Sequence, residues 1–208
     1  MMKPSGRRGA KQDVDDLIAG LARDGSLAEP GTFTLERGRA RELIASRQLS
    51  DPTRWILLAV QAAVLRGATR ITALITDRSV DLAFDGLPFS AAELDRLYDE
   101  ALASSLATTD AARARSKLAL ALTSARALDW SEIRVDSGDG TQVGRLLSLP
   151  PDPEVIASAP GPLVGTRLRV VRNHQEPGEL AALRSRCRHA PVELVANDAT
   201  LAPTDPFP

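Results

Sequence analysis

The chain has 208 residues, a net charge of −1 and 43% hydrophobic residues, which suits one large domain, or a core domain with attachments. That balance gives no electrostatic reason to expect nucleic acid as a partner, and the few aromatic residues are not interleaved with basic ones as a single-strand platform requires. A single cysteine, Cys187, excludes an internal disulfide, and no window approaches the ~18 apolar residues of a membrane span, so a soluble cytoplasmic protein without membrane contact is expected.

Residues 1–11 are basic, contain Gly and Pro, lack the apolar run of a secretion signal, and read as a flexible tail. "DVDDLIAGLARDG" repeats Val14, Leu17, Ile18 and Leu21 at helical spacing and stops at Gly25. "GTFTL" reads as a short strand and Glu36 to Leu49 as a second helix. The next helix, holding "WILLAVQAAVL", has Asp51 as N-cap, Pro52 at its first position and Gly67 as its stop. "TRITALIT" and "VDLAFDG" then alternate around "DRS", which predicts a β-hairpin with Ile71, Ala73, Ile75, Val80, Leu82 and Phe84 facing inward.

Ser90 and Glu93 form a capping box that opens a helix to about Leu106, and Asp110 caps another reaching Leu128. Strands follow at "EIRVDS", "QVGRLLSL" and "TRLRVVRN", with the Pro-rich "PPDPEVIASAPGP" read as a link between them. A short helix in "PGELAALRSRCRH", a strand in "PVELVAN" and a Pro-rich end close the chain. The order predicts an α+β fold: a mainly antiparallel sheet with helices packed on one face. The expected organisation is a tail and helix over 1–29, a domain over 30–200 and a tail over 201–208.

"LRGATRI", the hairpin, "FDGLPFSAAEL" and "VGTRLRVV" follow one another as the motifs of the GHKL superfamily ATPase domain do. That group includes the heat-shock protein 90 chaperones, MutL mismatch-repair proteins, the gyrase B subunit and sensor histidine kinases. The phrasing resembles MutL most, and the likeness spans residues 30–200 loosely. It implies a Bergerat-type sandwich and an ATP site. It also implies an Asp that receives the adenine amino group, matched by Asp85 with Gly86 beside it, and a supporting Thr, matched by Thr166.

The same resemblance implies a water-activating Glu on the first of these helices and a magnesium-holding Asn one turn further on. Those positions fall on Leu58 and Ala62, with Leu65 on the same face, so neither a base nor an oxygen ligand is present. Only Gln61 is polar there, and it can orient a water or a ligand but cannot act as a base; its plainer reading is a satisfied buried amide. The glycine-rich lid of the family is matched by a glycine-free run between Leu87 and Ser137, where Arg113, Arg115 and Lys117 are the available cations. The usual second glycine after the Asp is replaced by Pro88 and Phe89, and Phe89 can fill part of an adenine cavity.

Losing several charge-assisted contacts at ~1.5–3 kcal/mol each removes roughly three or more orders of magnitude of affinity. The expectation is therefore a degenerate member with no catalytic residues, no metal and millimolar ATP binding at best, serving as an interaction or regulatory module for a protein partner. A divergent ATP-binding, chaperone-like ATPase is the alternative, and an unrelated α+β domain a third reading. Cys187, His174 and His189 supply too few ligands for a structural zinc. Arg184, Arg186 and Arg188 alternate at a helix end, where they suit either the helix dipole or an acidic partner.

Overall fold

The structure is a computed structural model describing residues 51–98, 109–150, 154–173 and 178–202, all within the unit Leu35–Pro208. The expectations for residues 1–50, for the helix beyond residue 98, for His174 and for the chain end past residue 202 lie outside the described residues.

Helix α1 (Trp55–Leu65) follows a 3-10 turn, Pro52–Arg54. Asp51 does cap, but it caps that turn: its Oδ1 accepts from the Thr53 N–H at 3.1 Å and the Thr53 hydroxyl at 2.6 Å. At the other end Gly67 sits at φ 74°, its N–H reaching the Val64 carbonyl while the Ala68 N–H reaches that of Ala63. This is the left-handed Schellman stop that Gly67 implied. Trp55, Ile56, Ala59, Val60, Ala62 and Ala63 are buried, and Leu57, Leu58, Val64 and Leu65 pack half-buried against them.

Strands β1 (Arg70–Ile75) and β2 (Ser79–Phe84) form the expected hairpin, with Ile71 opposite Phe84 and Ile75 opposite Val80. Ser90 and Glu93 make their capping box; α2 covers Ala91–Asp95, a turn interrupts it at Arg96, and Leu97 and Tyr98 are helical again. Helix α3 (Asp110–Ala125) is capped by Thr109, whose hydroxyl accepts from the Ala112 N–H, so Asp110 instead occupies the first turn. Strands β3 (Trp130–Asp139) and β4 (Gln142–Ser148) pair across the "GDG" turn.

Two strands were not legible in the sequence. The supposed link contains β5 (Val155–Pro160), which pairs with β4 at the sheet edge, where a terminal Pro160 removes no needed ladder bond. After β6 (Val164–Arg172), α4 (Gly178–Arg186) and β7 (Glu193–Ala196), the chain turns through Asn197 and Asp198, both at positive φ, into β8 (Ala199–Ala202).

The eight strands lie in the order β5-β4-β3-β6-β2-β1-β7-β8, antiparallel except where β7 joins β1. The α+β expectation holds, with one parallel pair, β1–β7, added by the α4 crossover. Ile71, Leu82, Leu168, Val170, Ile133, Val135 and Leu146 point to the buried face, while Arg70, Leu74, Arg167 and Arg169 alternate onto an uncovered one. A buried ion pair fastens α4 to the core: Arg172 Nη1 donates to both Glu179 oxygens at 2.8 and 3.0 Å, and Trp55 Nε1 donates to Glu179 at 3.1 Å.

Candidate functional site

The end of β2 brings together most of the residues picked out from the motifs. Phe84 faces the core, so strand alternation turns Asp85 away from it. The Asp85 carboxylate accepts from the Thr69 N–H at 2.8 Å, the Arg70 N–H at 3.0 Å and the Thr69 hydroxyl at 2.5 Å. The Thr69 hydroxyl is the largest influence on this carboxyl, and with the two backbone donors it outweighs burial and holds the pKa below its ordinary value. Both Asp85 oxygens are thus engaged in tying β2 to the start of β1.

Gly86 docks directly on the C-terminus of α1. A Cβ there would lie 2.8 Å from the Arg66 carbonyl oxygen and 2.9 Å from the Ala68 nitrogen, so only glycine fits. The next residue, Leu87, donates its N–H to that same Arg66 carbonyl. Thr166 lies opposite Phe84 in the β2–β6 register and is buried, its hydroxyl 2.6 Å from that of Ser137. Ser137 in turn accepts from the Phe89 N–H at 2.7 Å.

Phe89 is fully buried, and the Arg66 guanidinium lies 4.3 Å above its ring. Arg66 also donates to the carbonyls of Leu87 (3.0 Å) and Pro88 and to Glu93 Oε1 at 3.1 Å. Arg115 reaches the same Glu93 oxygen at 2.8 Å, and the Ser90 N–H reaches the other. Burial opposes the Glu93 charge, but the Ser90 N–H and the two guanidiniums prevail and lower its pKa. The loop Leu87–Ser90 is therefore clamped shut from both sides.

Asp85, Gly86 and Thr166 are neighbours, and the recess touching Asp85 and Thr166 has a volume of about 230 Å³. Small-molecule sites usually enclose ~300–1,000 Å³. Its other lining residues include Thr72, Ala83 and Arg167, which belong to the uncovered face of the sheet.

Gln61 is not part of this cluster. It is exposed, not a buried amide, and lines a separate groove of about 740 Å³ between α1, α3 and the end of α4. Ala62 is fully buried, and Leu58 and Leu65 pack against the core. Arg113, Arg115 and Lys117 diverge: Arg113 and Lys117 line the groove, whereas Arg115 turns to Glu93.

A scan of protein-family models and a search of curated proteins find no match to this chain. Among the described residues, no helix is long and apolar enough to cross a membrane. The residues that sequence reasoning missed are Arg66 and Ser137. In the sequence Arg66 is simply the residue before the helix-stopping Gly67; its grip on Leu87 and Pro88 depends on contacts 21 and 22 residues away.

Proposed function

We propose that this chain is a degenerate GHKL-type domain that works as a non-catalytic interaction or regulatory module in the cytoplasm, with a protein as its partner. One observation carries the reading: the groups that the family resemblance assigns to adenine are already satisfied within the chain. Asp85 is bonded to Thr69 and Arg70, and Thr166 to Ser137. Phe89, fully buried with the Arg66 guanidinium over its ring, packs on the core side, where its N–H donates to Ser137 beside Thr166. To accept a nucleotide at Asp85 and Thr166, these bonds must break, each at a cost of ~1–3 kcal/mol before any contact is gained. On α1, apolar side chains stand at the base and metal positions, so no group there activates water or holds magnesium.

The β1–β2 hairpin by itself sets Asp85 and Gly86 beside the start of β1; the motif order did not require Thr166 to lie against the same strand end, and that placement supports the family reading over an unrelated α+β domain. ATP turnover with and without magnesium, together with melting at millimolar ATP, tests the proposal. The expected result is turnover at the buffer rate and no rise in Tm. Turnover abolished by Asp85→Asn, or a Tm rise that half-saturates at micromolar ATP, would overturn it in favour of the divergent chaperone-like ATPase.

A further inference from the structure

The groove between α1, α3 and α4 answers to chemistry unlike that of the loop after β2. Its floor is apolar: Leu57, Val60, Val64 and Leu65 from α1, with Ala190 and Pro191 beyond α4. Helix α1 is apolar on every side except at Gln61, a pattern that ordinarily belongs to a helix covered all round. Yet among the described residues this flank is open, with Gln61 exposed.

The rim of the groove is cationic. Arg54, Arg113, Lys117 and Arg186 line it together with His189, and no acidic residue appears among its described lining. Arg54 and Arg113 are partly neutralised by Asp51 and Asp110 one turn away. Lys117 and Arg186 have no ion pair among the described residues. In a chain of net charge −1, this is a local excess of positive charge that acidic groups among the described residues do not balance.

We propose that this groove receives an acidic amphipathic helix from a partner protein, its apolar stripe on Leu57, Val60, Val64 and Leu65 and its carboxylates against Lys117 and Arg186. An incoming helix satisfies its own backbone bonds, which matters because the groove is walled by helices and offers no sheet edge to extend. The floor from Leu57 to Leu65 runs about 12 Å, a little over two helical turns. A small molecule is the poorer fit, since an open groove does not enclose most of a ligand's surface as small-molecule sites do. The proposal stands on the groove alone and does not depend on the nucleotide-fold reading.

The test uses the full chain and a fluorescein-labelled peptide of roughly three helical turns, Leu at the i, i+3, i+4 and i+7 positions and Glu elsewhere, read by fluorescence anisotropy. Binding is expected to weaken roughly tenfold in Lys117→Glu/Arg186→Glu and to weaken with rising salt. A version with Lys in place of every Glu is expected not to bind. An unchanged melting curve of the double variant shows that only the surface was altered. Equal affinity of the two proteins for the peptide, or equal affinity of wild type for the Glu and Lys peptides, overturns the proposal. So does absence of binding, and so does a dimer of the chain that the double variant abolishes, which would assign the groove to a second copy.

Discussion

Replacing Glu179 by Ala should be among the most damaging single changes in this protein. Glu179 and the Arg172 side chain are essentially inaccessible to solvent, 0% and 1% exposed. The carboxylate receives two bonds from Arg172 and one from the indole of Trp55. Removing it leaves a buried guanidinium without the carboxylate that faces it, a situation that typically costs ~3–5 kcal/mol. Against a usual domain stability of ~5–15 kcal/mol, that is a large share.

With a urea m-value of about 2 kcal/mol/M, the midpoint of unfolding should fall by ~1.5–2.5 M. Trp55, fully buried beside the pair, supplies the fluorescence signal. The double change Arg172→Met/Glu179→Leu removes both charges and should lose less, the remainder being the orphaned Trp55 N–H at ~1–3 kcal/mol. If Glu179→Ala lowers stability by less than ~1 kcal/mol, or the double variant is as damaged as the single, the buried pair is not what anchors α4.

Gly165→Ala should destabilise the β2–β6 seam. The residue sits at φ 86°, and a Cβ there would lie 2.3 Å from the Phe84 carbonyl oxygen. The backbone conformation alone costs ~1–3 kcal/mol, a fall in Tm of roughly 2–12 °C for a domain of this size; an unchanged Tm would show that the strands shift freely. The Asp139 carboxyl is held at about 2, against an ordinary 3.8, chiefly by the Gln142 N–H and also by the hydroxyl and N–H of Thr141. Because this pKa is depressed in the folded state, the stabilisation of the β3–β4 turn is fully present above the ordinary value and is lost as pH falls through about 2. Carboxyl ¹³C titration by NMR should show that midpoint, and the Thr141 and Gln142 amide signals should follow it; a midpoint at the ordinary value refutes the turn geometry.

Local patterns determined much of this protein before any contact was known. The β1–β2 hairpin and its inward set, the Ser90–Glu93 box and the Gly67 stop follow from interactions within a few residues, so the sequence states them directly. The apolar identity of Leu58 and Ala62 is likewise a plain reading of the chain. Strand β5 escaped because its flanking prolines read as a link, and β8 because its residues sit beside a Pro-rich end; both are edge strands, specified by the neighbour they pair with.

What only the tertiary structure decided is where each polar group finds its partner. Asp85 was legible as a conspicuous acid after a strand, but that its oxygens belong to Thr69 and Arg70 depends on the start of β1 lying alongside. Gln61, next to the metal position and one turn from the base position on paper, proves to line a groove shared with Lys117 and Arg186, residues distant in sequence. Helical periodicity assigns a side chain to a face of its own helix. What that face meets is set by the packing of other elements, and hydrogen bonds and ion pairs act over distances of a few ångströms that sequence spacing does not measure.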